Sequence, residues 1–511
     1  MLNYEKRGGF LKKYLIAVWV FFLASPAPLS AKDIRIFIYH TNDIHGWILT
    51  RPNKRKKLVG GADVLARYFR EAPGPKLLID AGDWFQGTPE GSLTKGKALV
   101  SFFNAVPYDV IEVGNHDFDF GQAQLEKLVH SLHMPVLGAN VYSLKTGKRV
   151  PYLKPFVIKN LAGIKIGVFG LLTTNMPNLT FHKNIRGLKF RREIDEAKDE
   201  VRILKGKGAT VIIAVTHVGI QTPKSAPFED DRFIASHVAG IDLIVGGHSH
   251  TLLPKGVRDS VHHTLIVQTG SYLTHVGKVT LWINPLTKKV VRSKARVIKI
   301  NPQKMGSDPQ IKKILARYQQ EVGKKMNQVL GQSPRTFKRK FDRESAIGDW
   351  AADCLRLWAK TDVAFQNSGG LRADLPRGPV TWRDIFDVMP FDNYVATMSL
   401  SGAQIREILE WGVSGNQGII QVSGIRFDYD PKAPAQKRVR DVWIDNQPLV
   451  SSSSYSVATL NFLAQGGDGY KTFIHGRNSS VEPVLVRDVF AQCAERSLSS
   501  PKKRRIISKS R

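Results

Sequence analysis

Five short apolar runs in the first half of the chain each lead into a group of polar residues, and this recurrence limits the possible folds more than any other feature. The runs occupy residues 34–39, 76–79, 110–113, 211–215 and 241–245. They are rich in β-branched residues, which predicts strands, and the apolar spacing at residues 125–132 predicts a helix. Strands that alternate with helices indicate an α/β layered domain, in which ligand sites gather beyond the strand ends.

The polar residues after these strands are of types that bind metal ions. Asp43 and His45 are two apart, so in an extended segment their side chains project from the same face. Gly82 lets the backbone turn sharply beneath the carboxylate of Asp83. The strand ends provide seven candidate ligands, which are Asp43, His45, Asp83, Asn115, His217, His248 and His250.

The donor types in this set select a class of metal ion. Carboxylate, carboxamide and imidazole together suit Mn²⁺, Zn²⁺ or Fe²⁺, and the absence of thiolates argues against a structural zinc site. Seven ligands are too many for one tetrahedral ion. Two ions that share a bridging carboxylate, about 3.5 to 4 Å apart, fit the number, and such a pair clamps a phosphoryl group while it generates a hydroxide nucleophile. Taken alone, the turn at residues 114–117 would more often be an ordinary Asx turn.

The order of the motifs resembles that of a known family. The matching motifs are Asp43-x-His45, Gly82-Asp83, Gly114-Asn115-His116-Asp117, Thr216-His217 and Gly247-His248-Ser249-His250. Together they are similar to the motif set of the calcineurin-like metallophosphoesterases, specifically the two-domain 5′-nucleotidases, over residues 32 to 495. The resemblance implies an α/β fold with a four-layer catalytic domain, two packed sheets flanked by helices. It also implies a C-terminal α/β substrate-binding domain, joined by a linking helix about which the domains rotate.

The resemblance also implies roles for the candidate ligands. One ion is held by Asp43, His45 and His250, the other by Asn115, His217 and His248, and Asp83 bridges them. His116 matches the catalytic histidine of the family, and Asp119 orients it. Relatives that act on 2′,3′-cyclic nucleotides tend to carry Asn in place of Asp119, so the aspartate favours hydrolysis of 5′-nucleotides.

The sequence between residues 300 and 330 has the features of a connecting segment, and it predicts the domain boundary. Pro302 and Pro309 are helix start signals, and residues 310–326 have the apolar spacing of a connecting helix. The predicted parts are a signal peptide at 1–31, a catalytic domain at 32–300, a linker with a helix at 301–330, a nucleotide-binding domain at 331–497 and a basic tail at 498–511.

The predicted nucleotide-binding domain has signals that are weak by themselves. Asn367 begins a Gly-rich turn that leads to Arg372, and Phe391 and Phe462 are by default core aromatics. The resemblance implies that the two phenyl rings sandwich the base and that Asp468 contacts the ribose. It further implies that Arg343, Asn367 and Arg372 contact the phosphate end of the substrate. Stacking between aromatic rings accepts any base, so the base preference is not predicted.

The N-terminus has the features of a targeting segment. Basic residues precede the apolar run 14–23, and a stretch of small residues ends at Ala31, after which we expect cleavage. Because Leu29 is imperfect for the small-residue rule, an uncleaved anchor is the alternative. No later apolar stretch is long enough to span a bilayer. We therefore expect a periplasmic or secreted protein, in which Cys354 and Cys493 form at most one disulfide.

The composition is strongly basic. Lys and Arg number 75 against 44 Asp and Glu, a formal net charge of +31. Such a charge attracts polyanions and phosphorylated substrates, but no nucleic-acid-binding motif accompanies it. We therefore expect a nucleotide substrate and non-specific association with anionic membrane or envelope surfaces. We expect neither a specific nucleic acid nor an obligate protein partner.

These features together predict an exported 5′-nucleotidase that uses two divalent metal ions, Mn, Zn or similar. It would hydrolyse nucleoside 5′-monophosphates to nucleoside and phosphate by means of a metal-activated hydroxide. One alternative is a related phosphoesterase that acts on UDP-sugars, dinucleotides or 2′,3′-cyclic nucleotides. A more remote alternative is a basic envelope-binding or nucleic-acid-binding protein without turnover.

Overall fold

The computed structural model describes residues 32–53, 56–220, 229–496, 498 and 504–509. The predicted signal peptide, residues 1–31, lies outside the described residues. Within the part of the chain that is described, no helix combines the length and the apolar character needed to cross a membrane.

Two six-stranded sheets form the centre of the first domain. The strands of the first sheet, in spatial order, are Val290–Lys299, His275–Ile283, Ile34–Thr41, Lys76–Asp80, Val110–Glu112 and Val136–Leu137. Those of the second sheet are Val257–Arg258, Leu265–Val267, Leu243–Gly246, Val211–His217, Ile164–Leu172 and Phe156–Leu161. Neighbouring strands in the middle of each sheet run parallel, so their carboxyl ends lie on the same side of the domain.

The two sheets pack face to face, with helices on their outer sides. Aliphatic side chains such as Ile38, Ile79, Val168 and Ile213 fill the space between the sheets. Helices Ala62–Glu71, Lys97–Ala105 and Gln122–Ser131 pack on the first sheet, and helices Glu193–Gly206 and Asp231–His237 pack on the second. The predicted four-layer arrangement is confirmed. Inner strands such as Lys76–Asp80 and Val211–His217 are apolar along both faces because both faces of the sheet are covered there.

Shorter elements connect these layers. Two small two-stranded sheets pair Arg51–Pro52 with Leu58–Val59 and Val141–Ser143 with Leu188–Phe190. Single helical turns form at Pro89–Ser92, Asn115–Phe118, Met176–Leu179 and His182–Ile185.

A helix at Pro309–Met326 links the two domains, after a short turn of helix at Pro302–Met305. The carboxylate of Asp308 caps it by accepting hydrogen bonds from the backbone N–H groups of Gln310 and Ile311, at 2.9 and 3.2 Å. Its first half packs against the core of the first domain through Ile311, and its second half packs through Met326 against Phe386 of the second domain.

The second domain is also α/β. A five-stranded sheet contains, in spatial order, Gln421–Ser423, Val363–Gln366, Ser454–Leu460, Tyr394–Ser401 and Arg477–Leu485. A four-stranded sheet contains Gln447–Pro448, Val439–Ile444, Ile425–Tyr429 and Ile506–Ser508, and a third sheet pairs Val329–Ser333 with Gly378–Thr381. The helices are Ala346–Ala359, Trp382–Val388, Gly402–Gly412, Asn461–Ala464 and Val486–Arg496, with helical turns at Ser368–Gly370, Gly467–Gly469 and Lys471–His475.

A disulfide and the C-terminal tail both tie this domain together. Cys354 and Cys493, which are 139 residues apart, are bonded between two helices. The described part of the basic tail adds the strand Ile506–Ser508, which runs parallel to Ile425–Tyr429. The guanidinium of Arg505 donates to a carboxylate oxygen of Asp353 at 2.7 Å. This part of the tail therefore packs on the domain.

Candidate metal centre

The seven candidate ligands lie together, at the carboxyl ends of strands from both sheets. The first sheet contributes Asp43, His45, Asp83 and Asn115, and the second contributes His217, His248 and His250. Two groups of three side chains each place one ligand atom per residue within 4.8 Å of the others: Asp43 with His45 and His250, and Asp43 with Asp83 and His217. Each of the two groups could therefore hold a cation.

One part of the cluster joins Asp43, His45 and His250. The two imidazole Nε2 atoms are 3.0 Å apart, and Nε2 of His250 is 3.4 Å from Oδ1 of Asp43. Asp43 and His45 are almost completely buried, whereas the side chain of His250 is 26% exposed. This partial exposure leaves one side of the group open to an incoming molecule.

The other part joins Asp83, Asn115, His217 and His248. Oδ1 of Asn115 is 3.2 Å from Nε2 of His217 and 2.9 Å from Nδ1 of His248. Oδ2 of Asp83 is 3.1 Å from Nε2 of His217 and 3.5 Å from Nε2 of His45. Asp83 thus stands between the two parts, where a bridging carboxylate is expected.

The backbone of the cluster is not extended, contrary to the reasoning that placed Asp43 and His45 on one face of a strand. The strand ends at Thr41, and five of the seven candidate ligands have a positive φ. These are Asp43 (50°), His45 (49°), Asp83 (59°), His248 (73°) and His250 (54°). Non-glycine residues rarely adopt this left-handed conformation, and it persists where the surrounding structure enforces it, often at functional sites.

Hydrogen bonds to backbone carbonyls orient two of the imidazoles. Nδ1 of His45 donates to the carbonyl oxygen of Gln86 at 2.8 Å, and Nδ1 of His217 donates to that of Ala81 at 2.7 Å. Because a carbonyl oxygen only accepts, each ring carries a proton on Nδ1, and Nε2 is the nitrogen that faces the cluster and is available to bind a cation. This is the arrangement that metal-binding histidines need, and it fits divalent cations.

The buried carboxylates of the cluster also favour a positive charge beside them. Burial alone would lower the pKa of His217, but the carboxylates of Asp83 and Asp43 outweigh it and raise that pKa to about 10. Burial, followed by the charge of His217, lowers the pKa of His248 to about 4. The buried carboxylates therefore demand a cation, which here is a proton on His217 and which a divalent ion would replace.

His116 and Asp119 form a pair beside this cluster. Nδ1 of His116 is 2.8 Å from Oδ2 of Asp119, and its backbone N–H donates to Oδ1 of Asp83 at 2.8 Å. Burial opposes the charged form of His116, but Asp119 and then Asp83 raise its pKa above the ordinary value. Across the domain boundary, the His116 ring stacks on the ring of Phe391, with centroids 5.3 Å apart.

Arg372 of the second domain reaches the metal cluster, and other candidate substrate residues of that domain lie near the domain boundary. Nδ2 of Asn367 donates to Oδ2 of Asp468 at 2.6 Å, and burial raises the pKa of Asp468 to about 6. Nη2 of Arg372 is 3.4 Å from Nε2 of His45. The ring of Phe462 meets the ring of Phe181 from the first domain edge to face, at 6.1 Å. The interface is therefore lined with aromatic and polar groups from both domains.

Comparison with protein families identifies the two domains. The family model of calcineurin-like phosphoesterases matches residues 37–252, and that of the 5′-nucleotidase C-terminal domain matches residues 321–475. The chain belongs to the two-domain 5′-nucleotidase family. Membership of this family classes it with the metal-dependent phosphoester hydrolases.

Individual relatives resemble the chain over most of its length. An apyrase from Tabanus yao is 28% identical over 511 residues, which cover 88% of this chain and 89% of the apyrase. The crystal structure of a 5′-nucleotidase precursor from Thermus thermophilus has a TM-score of 0.85 and 26% identity, covering 93% of this chain and 99% of that chain. Endonuclease YhcR of Bacillus subtilis is 26% identical over 465 residues, or 86% of this chain, but the chain spans 37% of that longer protein.

One residue suggested by the family resemblance, Arg343, is exposed. The side chain of Arg343 is 66% exposed, and its guanidinium pairs with Asp342 at 2.9 Å. Arg339, four residues earlier, is more deeply placed. Burial, followed by the charge of Arg372, lowers its pKa, and its Nε is buried without a hydrogen-bond partner among the described residues. The spacing of two arginines in one segment cannot tell which of them turns inward.

The sequence did not predict two further residues at this 5′-nucleotidase-type interface. The ring of Tyr272 lies 5.7 Å from that of His45 and 5.5 Å from that of His250. Phe181 is the second, through its contact with Phe462. An isolated aromatic residue in a loop carries no sequence signal for a site, so only the tertiary contacts reveal it.

Proposed function

We propose that this chain is an exported 5′-nucleotidase that hydrolyses nucleoside 5′-monophosphates to nucleoside and phosphate with two divalent cations. One observation carries the proposal: the cluster of seven ligand-type side chains opens toward an interface that also contains Arg372, Asp468 and two aromatic rings. A phosphate group at the cluster would leave its nucleoside against the second domain.

The ligand sets follow from the two parts of the cluster. Asp43, His45 and His250 would hold one cation, Asn115, His217 and His248 would hold the other, and Asp83 would bridge them. The cations, Mn²⁺, Zn²⁺ or similar, supply a water nucleophile that is active at neutral pH, and they neutralise charge on the phosphoryl oxygens.

His116 and Arg372 would act on the substrate directly. The carboxylates of Asp119 and Asp83 raise the pKa of His116 and so favour its protonated form, and Asp119 fixes the ring orientation through Nδ1. Nε2 is then the atom that donates a proton or hydrogen bond to the phosphoryl group and the departing 5′ oxygen. Arg372 would bind the phosphoryl oxygens, with Asn367 holding Asp468 beside it. We retain Arg343 as a peripheral contact and assign the inward position to Arg339.

Phe391 and Phe462 would bind the base by stacking, and Asp468 would accept a hydrogen bond from the ribose. Both rings are half-buried at the interface and are therefore open on one side. Stacking selects an aromatic ring without selecting one base, so we expect purine and pyrimidine nucleotides to be hydrolysed.

The domain parts would be those of the sequence prediction. Residues 32–300 would hold the metals, residues 301–330 would connect, and residues 331–497 would bind the nucleoside, followed by the basic tail at 498–511. The disulfide between Cys354 and Cys493 supports export to the periplasm or the exterior, since such bonds persist in oxidising compartments.

The first test is metal-dependent release of phosphate from AMP. Protein stripped with a chelator should be inactive, and added Mn²⁺ or Zn²⁺ should restore release. His217→Ala should reduce the rate to below about 1% and remove bound metal, because it deletes a buried ligand. His262→Ala, the same change at an exposed histidine, is the matched control and should leave the rate unchanged. Full activity of His217→Ala, or no activity with any metal, would contradict the proposal.

A second candidate is a phosphoesterase for nucleotides with a further phosphate, such as UDP-sugars or dinucleotides. Arg51 favours it, because its guanidinium lies against Tyr272 and one of its nitrogens is buried without a partner among the described residues. Arg339 has a similar free donor. A substrate panel at equal concentration, with AMP, a UDP-sugar, a dinucleotide and a 2′,3′-cyclic nucleotide, separates the two candidates.

A further inference from the structure

One face of the antiparallel edge of the first sheet is an array of cations and aromatic rings. Three strands pair there side by side in antiparallel fashion. They are Ile34–Thr41, His275–Ile283 and Val290–Lys299. Directly opposed residues form three rows, which are Arg35, Trp282 and Arg292; Phe37, Thr280 and Lys294; and Tyr39, Lys278 and Arg296. The nine positions hold five cations, three aromatics and one threonine. We call this set the cationic sheet face.

The orientation of the cationic sheet face is enforced by the fold. Alternate residues of the same strands, including Ile36, Ile38 and Leu281, are completely buried between the two sheets. Since side chains alternate across a strand, the intervening residues must point to the other side. Arg35, Arg292, Lys294 and Arg296 are exposed there, and Lys278 and Trp282 are half-buried.

The positive charge of this face is not neutralised by the protein. Among the described residues, no carboxylate oxygen lies within 4.0 Å of any of the five cationic groups. Burial lowers the pKa of Lys278, and the nearby charge of Arg296 adds to the effect. An anionic partner would therefore gain electrostatic energy without displacing an internal ion pair.

Aromatic rings hold some of these cations in place. The guanidinium of Arg292 lies 3.8 Å from the centroid of the Trp282 ring. Nζ of Lys278 lies 4.3 Å from the centroid of Phe37 and 5.2 Å from that of Tyr39. Cation–π contacts of this kind reduce the entropy that the side chains lose when they bind a ligand.

We propose that the cationic sheet face is a docking site for single-stranded nucleic acid. Arg292, Lys294 and Arg296 are spaced two residues apart on one strand, so their Cα atoms are about 6.8 Å apart. This distance is comparable with the spacing of phosphates along an extended polynucleotide. The outer face of the Arg292 guanidinium, which rests on Trp282, offers a plane on which a base stacks.

The planar arginine favours a polynucleotide over an anionic bilayer. A bilayer needs only charge, so Lys would serve as well as Arg at residue 292. A base that stacks on the guanidinium needs the planar group itself. The sequence did not predict such a site, because strand pairing decides that Arg35 shares a face with the cations of the later hairpin and that these cations point outward. The inference does not depend on the proposed hydrolytic function.

The test is the salt dependence of binding to a fluorescent oligothymidylate of about 20 nucleotides, followed by anisotropy from about 50 to 200 mM NaCl. The test variant is the full chain with the triple substitution Arg292→Ala/Lys294→Ala/Arg296→Ala. It should reduce the slope of log affinity against log salt by about 2, because each lost phosphate contact reduces that slope by about 0.7. Affinity at a fixed salt concentration should fall at least about tenfold.

The matched control removes the same charge from the linking helix. Lys312→Ala/Lys313→Ala/Lys324→Ala changes three exposed lysines there and should leave slope and affinity unchanged. Arg292→Lys keeps the charge and should weaken binding about fivefold at an unchanged slope, since only stacking is lost. Circular dichroism and AMP hydrolysis report whether the variants fold.

Three results would overturn the proposal. The first is an equal loss of binding in the two triple variants, which would indicate attraction by net charge alone. The second is unchanged binding after Arg292→Lys. The third is the absence of oligonucleotide binding by the unmodified chain. If that chain then sediments with vesicles of phosphatidylglycerol, the face would be assigned to an anionic lipid surface instead.

Discussion

Removal of Arg383 should disrupt the closed arrangement of the two domains. Arg383 lies in helix Trp382–Val388 of the second domain and donates two hydrogen bonds, of 2.9 and 2.8 Å, to the carboxylate of Glu90 in the first domain. Glu90 is only 2% exposed. Asp387 lies nearby, and burial raises its pKa to about 8. Arg383→Ala would therefore leave two buried carboxyl groups without their shared cation.

The structure allows the size of this effect to be estimated. Breaking a buried ion pair by removing one partner costs about 3 to 5 kcal/mol, mainly because the remaining charge is left without compensation. The side chain of Arg383 is 27% exposed, which favours the lower end of that range. If the domains separate so that water reaches Glu90, the closed form is disfavoured by about 3 kcal/mol, or about 100-fold.

Kinetics and scattering measure this loss. For AMP, which uses both domains, kcat/KM should fall about 100-fold, whereas 4-nitrophenyl phosphate, which lacks a nucleoside, should be affected less. The radius of gyration from small-angle X-ray scattering should increase. Glu90→Gln/Arg383→Gln replaces the pair with neutral groups of similar size and should recover most of the activity. A change in kcat/KM below about twofold with an unchanged radius would refute the reasoning.

Three further predictions concern single side chains. Asp349→Asn should raise the melting temperature at pH 8 more than at pH 5, because burial and then Glu344 raise the pKa of Asp349 to about 8. Arg339→Ala should reduce kcat/KM for AMP at least about tenfold, and Arg343→Ala should reduce it less than about threefold, because only Arg339 turns toward Arg372. Phe181→Ala should raise KM for AMP about fivefold at constant kcat, since it removes one aromatic contact of the base pocket.

Each of these predictions has a clear contrary outcome. The folded pKa of Asp349 lies above its ordinary value of 3.8, so the folded state holds a proton that the unfolded state releases between these two values. Stability is therefore lost as pH rises through this window, and a pH-independent gain for Asp349→Asn would contradict the argument. Equal losses for the two arginine variants would place both at the substrate. A fall in kcat with unchanged KM would exclude Phe181 from the base pocket.

Much of the fold could be predicted from local patterns. The apolar runs at residues 76–79 and 211–215 identified strands of an α/β layered domain, and those strands are observed at Lys76–Asp80 and Val211–His217. The Pro start signal and apolar spacing located the linking helix, which is observed at Pro309–Met326. These predictions succeeded because the periodicity of apolar side chains and the capping of helices depend on a few neighbouring residues.

The predictions failed where a distant contact decides the conformation. Asp43 and His45 were expected in an extended segment, but backbone hydrogen bonds to residues 82 and 83 hold both in the left-handed region. The inward position of Arg339, near Arg372 of a later segment, also depends on a distant contact, and the spacing of Arg339 and Arg343 could not indicate it.

By itself, the sequence determined which residue types stand at the ends of which strands, and so the donor set of the metal cluster and the family of the chain. Only the tertiary structure decided how those ends meet, which side chains face across the domain boundary, and that five scattered cations share one sheet face. The reason is physical. Secondary structure follows from short-range sterics and hydrogen bonding, whereas the packing of two sheets and two domains is set by contacts between residues hundreds of positions apart.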